Sequence, residues 1–150
     1  MLLTTSRKPS RKTRSLAKAL ARYLNWRYVN RGKMSLEDVF LLDKHVAIIE
    51  EVKGNPAVLK LYRDGKQHFM LRFNASNIKK VKMDDSPPVF VGNPPFDPLL
   101  FGAIPHSKAG LKLMRKVEFP KEIVVKDGRL YFYYKDELVF SLKVLKLQTT

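Results

Sequence analysis

From Ser10 to Leu24 the chain sorts its side chains by angle, and no other stretch constrains the fold as strongly. At 100° per residue, Arg11, Arg14, Lys18 and Arg22 fall within one narrow stripe, while Leu16, Ala17, Leu20, Ala21 and Leu24 gather on the opposite side. A disordered tail has no reason to segregate its residues in this way. The pattern predicts a helix that starts after Pro9, takes Ser10 as its N-cap and runs to about Leu24. One face enters a core and the other points outward as a row of cations. Directly before it, "MLLTT" reads as a short buried strand.

The chain can supply that core. Its 150 residues make one ordinary domain, and a chain of this size buries roughly 70% of its unfolded surface on folding. A composition of 45% hydrophobic and 29% charged residues is that of a globular protein rather than a disordered one. No apolar run reaches the length of a bilayer span. Charged residues continue through Arg22, which leaves no apolar stretch for a secretory signal, so the expected location is the cytoplasm. The chain has no cysteine for disulfides or thiolate ligands. His45, His68 and His106 stand far apart, outside metal-ligand spacing, and no cofactor or metal is expected.

Charge points to the partner. The net charge is +15, and residues 1–36 hold ten Lys/Arg and no acid, against 19 basic and 14 acidic residues in the remainder. A concentrated positive field attracts phosphate polymers or anionic lipid. The loop between the first strand and the helix offers free backbone N–H groups and the positive end of the helix dipole. Around it, Thr5, Ser6 and Ser10 can donate hydroxyl hydrogen bonds, Arg7, Lys8, Arg11 and Lys12 add charge, and Arg14, Lys18 and Arg22 extend the basic surface along the helix. The loop contains no glycine, so neither a P-loop nor a dinucleotide fingerprint is present. It suits a backbone phosphate of a polymer. A second strand, "WRYVN", and a helix in "GKMSLEDVFLL" with Ser35 as N-cap and Asp38 in a variant capping box enclose another basic loop with Arg31 and Lys33. If the two strands are parallel neighbours, both loops open at one edge of the sheet and form one surface. Otherwise Arg31 and Lys33 are solvated loop charges.

The opening "LLTTSRKPSRKTRSLAKALARYL", continued by "NWRYVNRGKMSLEDV", resembles the Brix-domain family, the ribosome-biogenesis factors that include the Imp-four-like proteins, and in particular its small archaeal members. The resemblance implies a protein that binds ribosomal RNA precursors and assists their folding, processing or assembly, with other ribosome assembly proteins as further partners. It also implies an α/β fold, a mixed sheet packed with helices, in two related halves that each resemble the anticodon-binding domain of class II tRNA synthetases.

The rest of the chain reads independently as "HVAIIEEV", "AVLKLYR" and "KQHFMLRF", an antiparallel meander turned at "KGNP" and at Asp64-Gly65. "RDGKQHF" at 63–69 is echoed by "KDGRLYF" at 126–132, each expected to close its half of the chain. A second helix, about Ser107 to Val117, sets Lys108, Lys112 and Arg115 opposite Leu113, Met114 and Val117. One domain over 1–150, with halves of about 1–82 and 83–150, is therefore expected. Residues 86–105 hold six of the nine prolines and read as an irregular but packed connection.

Alternation puts Tyr131 and Tyr133 on one face of a strand and Leu130, Phe132 and Tyr134 on the other. Core packing is the expected role of these aromatics, as of Trp26 and Tyr28, with stacking on unpaired bases the alternative. Glu50/Glu51 and Asp84/Asp85 are adjacent in sequence and do not form an acid/base pair. The reading is a non-catalytic, monomeric RNA-binding protein. Its rivals are a structural nucleic-acid protein (ribosomal or chromatin-like), an accessory subunit of a tRNA or rRNA enzyme, and a membrane-surface protein.

Overall fold

A computed structural model describes residues 1–150, which form a nine-stranded sheet and three α-helices. Strand β1 (Leu2–Thr5) is buried along its whole length and lies between two parallel neighbours, β2 (Arg27–Tyr28) and β3 (His45–Val52). Helix α1 (Arg11–Leu24) connects β1 to β2, and α2 (Leu36–Leu42) connects β2 to β3. An antiparallel meander follows through β4 (Asn55–Arg63) and β5 (Lys66–Ser76). Residues 77–88 contain no regular element and carry the chain from the middle of the sheet to its far edge, with Ile78, Val81 and Met83 packed on the core. There β6 (Val89–Val91) forms the edge. A 3-10 turn (Pro98–Phe101) and α3 (Lys108–Lys116) lead to β7 (Lys121–Lys126), parallel to β6, and then to antiparallel β8 (Arg129–Tyr134) and β9 (Glu137–Thr149).

The sheet order is β2-β1-β3-β4-β5-β9-β8-β7-β6. Read outward from the antiparallel β5–β9 pair, each side runs through two antiparallel pairings to a parallel one, and the β1 side adds a second parallel partner, β2. A single cluster of 27 buried hydrophobic residues lies under α1 and spans both sides. The helix forms as its pattern requires: Ser10 Oγ accepts from Thr13 N, Asn25 in the left-handed region caps the other end, and Leu16, Ala17, Leu20, Ala21 and Leu24 are buried. Tyr23 reaches across the seam. Its ring meets Phe132 and Phe140 edge-on at 5.2 and 6.0 Å, and its hydroxyl donates to Tyr133 O at 2.7 Å. A smaller cluster of Leu2, Val39, Val46 and Ile48 packs α2 onto the opposite face at the β1–β3 end.

Three expectations need correction. Residues 86–105 are packed, but they conceal a real parallel strand, β6, which proline-rich flanks hide from any pattern test. The Asp127-Gly128 hairpin does not close its half of the chain, because the 13-residue β9 follows it. By position in the sheet its counterpart is the Lys53-Gly54 turn between β3 and β4, not Asp64-Gly65 between β4 and β5. All four two-residue hairpins have positive φ at both central residues, the type I′ pattern, so the repeated Asp-Gly reflects turn chemistry rather than position. Helix α3 has the expected limits and Ser107 as N-cap, but Leu113 and Val117 are exposed and Met114 only half-buried; Gly110 alone is buried. A Cβ at Gly110 would stand 1.8 Å from Pro105 O, so the backbone itself forms the contact.

Leu20 is 2% exposed beneath the α1 cations. Its replacement by alanine should remove about 2–5 kcal/mol of stability, each kcal/mol lowering the melting temperature by roughly 2–4 °C in a chain of this size. Thermal unfolding checks this, and an unchanged midpoint would mean that α1 is not packed.

Candidate nucleic-acid interface

The two basic loops do meet. Parallel pairing of β1 with β2 brings the loop after β1 beside residues 31–35, where Arg7 Nε and Nη2 approach the carbonyls of Met34 and Lys33 at 3.4 Å. At that length the contacts are weak, and the guanidinium stays exposed. Lys8, in the left-handed region at φ 51°, and Lys33 are exposed beside it. From this corner the outer face of α1 continues with Arg11, Lys12, Arg14 and Lys18, all exposed. At 1.5 Å per residue the row from Arg11 to Arg22 is about 16 Å long. The only salt bridges in the protein, Lys60–Glu50 and Lys79–Glu137, involve none of these cations.

Several expected contacts are instead engaged inside the fold. Thr5 is fully buried and its Oγ1 donates to Ser6 O at 2.9 Å. Arg31 is 7% exposed; its Nη1 donates to Thr5 O at 2.9 Å and its Nε to Met34 O at 2.8 Å. Burial, and then the neighbouring Arg7 charge, lower its pKa, so the carbonyls rather than an acid hold this cation in place. Arg31 is a tie between two loops because a parallel strand pair leaves Thr5 O without a ladder partner at the end of β1. Ser10 Oγ is occupied as the helix cap. Ser6 remains half-buried, with its N–H bound to Ile49 O. Arg22, at the far end of the stripe, is also half-buried, and its Nε is enclosed without a partner.

The helix N-terminus, expected to receive a phosphate, is already met by a carboxylate of the chain itself. Glu51 of β3 receives Ser10 N at 2.5 Å. Partial burial works to raise its pKa, but hydrogen bonds from the Thr13 side chain and the Ser10 backbone and side chain outweigh this and bring it below the ordinary carboxylate value. Nothing local in the sequence announces that contact, since 41 residues separate the partners. What remains for a ligand is the cationic corner and stripe around this neutralised point. Tyr28 stands at its side, half-buried by β2, with Lys18 Nζ 5.8 Å from its ring centre and its hydroxyl donating to Asn30 Oδ1 at 3.0 Å. It packs, partly buried, against the edge of the main core cluster, as expected. No group of three or more His, Cys, Asp or Glu side chains is placed to hold a metal ion, and no helix is long and apolar enough to cross a membrane.

The corner and the outer face of α1 together present one exposed cationic surface. No protein-family model matches the chain. Over 146 residues, 97% of this chain and 95% of the relative, it is 59% identical to an Archaeoglobus fulgidus protein named "Probable Brix domain-containing ribosomal biogenesis protein". A Methanothermobacter thermautotrophicus protein of the same name is 48% identical over 89 residues, 57% of each chain. Among solved structures, that of Mil, an archaeal Imp4-like protein, superposes with a TM-score of 0.70 at 29% identity over the full length of both chains. A "probable ribosomal biogenesis protein" from Aeropyrum pernix has the same fold at 18% identity, with a TM-score of 0.61 over 99% of this chain and 95% of that one.

The Glu51 contact makes stability depend on pH. Its folded pKa lies below the ordinary 4.5, so its charge stabilises the fold above that value and the benefit disappears as pH falls through the acid range. Glu51→Gln should melt below wild type at neutral pH, with the gap closing as the pH drops past about 4.5. A gap of the same size at every pH would show that the carboxylate charge is not what anchors α1.

Proposed function

The chain belongs to the family of Brix domain-containing ribosomal biogenesis proteins, and on that footing we propose that it binds ribosomal RNA precursors through the α1 corner and assists their folding, processing or assembly without catalysing a reaction. The observation that carries this reading is the run of exposed, unpaired cations Arg7, Lys8, Arg11, Lys12, Arg14, Lys18 and Lys33, with Glu51 as the one acid hydrogen-bonded at the head of the helix. A uniform positive row on a rigid helix recognises phosphate backbone and RNA shape rather than base sequence. Ser6 is retained as a hydroxyl donor at the corner, and Arg22 as a lesser contact at the end of the row. Thr5, Ser10 and Arg31 hold the surface in place from within.

The setting we infer is the cytoplasm, with precursor RNA and other assembly proteins as partners and the protein acting as a monomer. We also read the mirrored strand order about β5–β9 as two related halves, about 1–82 and 83–150, each resembling a synthetase anticodon-binding domain; what supports this is the shared succession of one parallel and two antiparallel pairings.

Converting Arg11, Arg14 and Lys18 to glutamine should leave the melting temperature unchanged, because the side chains are solvent-facing. RNA affinity should fall, and the slope of log affinity against log salt should flatten by roughly 0.7 to 1 for each phosphate that is no longer neutralised. An unchanged slope would remove α1 from the interface. In cell extracts the protein should sediment with precursor particles; finding it mainly on mature subunits would favour a structural ribosomal protein instead.

A further inference from the structure

The face of the sheet opposite α1 is covered only at its ends, by α2 over the Leu2–Val46–Ile48 cluster and by α3 near Val89, Val91 and Glu122. Between them the outward side chains form rows, because residues paired across antiparallel strands share a face. One row runs Lys126, Arg129, Lys143, Asn74 over four adjacent strands, β7 to β5. Arg72 and Lys146 stand opposite each other as a further pair of cations on β5 and β9. On the other side of the cationic row comes Val124, Tyr131, Ser141, Ser76, and beyond it Glu122 opposite Tyr133. Residues two apart on a strand are separated by about 6.5 Å.

Like charges placed directly opposite one another destabilise a sheet. Three in a row, plus a second opposed pair, therefore work against folding, and none of the five has an acidic partner within salt-bridge distance. The row beside them is aromatic and hydroxylic: Tyr131 and Tyr133 are half-exposed and line an open groove with Glu122, Val124, Lys126, Asp127 and Asp136. Cations, aromatic faces and the carboxylates of Glu122 and Asp136 thus follow in order along the strands, while Asp127 lies at the cationic end in the β7–β8 turn. That order matches a nucleotide strand laid across the sheet, with phosphates on the cations, bases on the rings and base amino groups donating to the carboxylates.

We propose that this open face is a second RNA-binding surface, taking a single-stranded segment whose phosphates lie along Lys126, Arg129 and Lys143 and whose bases stack on Tyr131 and Tyr133. It rests on the same ligand class as the function proposed above but on different residues, on the opposite side of the sheet from α1. An acidic protein partner would use the cations and leave the tyrosines idle.

The test measures binding of a short unstructured RNA oligonucleotide of mixed sequence across a salt series. The variant Lys126→Gln, Arg129→Gln, Lys143→Gln should melt at or above the wild-type temperature, since repulsion is relieved, and its salt slope should flatten by roughly 2 to 3. Tyr131→Ala should weaken binding roughly five- to a hundredfold, Tyr131→Phe should restore it, and photocrosslinks should map to Tyr131 or Tyr133. Unchanged affinity and slope in the triple variant, with weakened binding in the Arg11, Arg14, Lys18 variant, would overturn this surface and leave the α1 reading intact. A slope lowered by the triple variant but indifferent to Tyr131→Ala, without crosslinks on the tyrosines, would overturn the single-stranded assignment.

Discussion

The antiparallel pairing of β5 with β9 is the contact on which the remaining architecture depends. Eight residue pairs from Phe69↔Thr149 to Ser76↔Ser141 join the strands that close the two runs of the sheet, and a 2.8 Å contact between the Ser76 and Ser141 hydroxyls marks the end of the pairing. Without it each run would present a bare edge, and neither could assemble the 27-residue core alone. α1 then has a continuous floor. Its side chains pack on both runs, and Lys121, fully buried at the start of β7, donates to Asp84 O at 2.7 Å, Asn25 Oδ1 at 3.3 Å and Arg22 O at 3.5 Å. Burial pulls its pKa down, while Asp84 and Asp85 pull it back up. A buried lysine thus ties the end of the helix, the crossing segment and the second run together.

A sheet assembled in this way has two faces, and the fold distributes charge between them unevenly. α1 uses one face for the core and turns its cations to solvent at the corner where β1 and β2 end. Within that corner the polar groups divide into two classes. Thr5, Ser10, Arg31 and Glu51 satisfy backbone groups that a short parallel pair and a helix start leave open. Lys8, Arg11, Lys12, Arg14, Lys18 and Lys33 have no such task, and Arg7 makes only long contacts to two carbonyls, so their charge faces solvent. Arg31, buried and bound to two carbonyls, joins the two loops of the corner.

The limits of α1, the strand before it, the capping box of α2 and the meander were legible from residues 1–76 because each is decided by neighbours in sequence: apolar periodicity, a Ser N-cap, a type I′ turn. The face assignment of Tyr131 and Tyr133 was legible for the same reason. Legibility failed where a distant segment set the outcome. β6 is a strand only because β7 lies beside it. The apolar residues of α3 have the spacing of a core face, yet Leu113 and Val117 are exposed, and the close contact of the helix is that of Gly110 with the Pro105 carbonyl just before it.

By itself, the sequence determined the local elements, the outward row of cations on α1 and, through its opening motif, the family. Those properties follow from short-range geometry and from charge, which no packing can cancel. Only the tertiary structure decided which basic and hydroxyl residues remain free. Arg31 and Arg11 look equivalent as letters, but one is enclosed by Thr5 O and Met34 O and the other is open to solvent. It also brought Lys126, Arg129 and Lys143, spread over 18 residues of chain, into one line across three strands. Register between strands is a long-range property, set where the whole core closes, and a residue's charge acquires a direction only when that register is fixed.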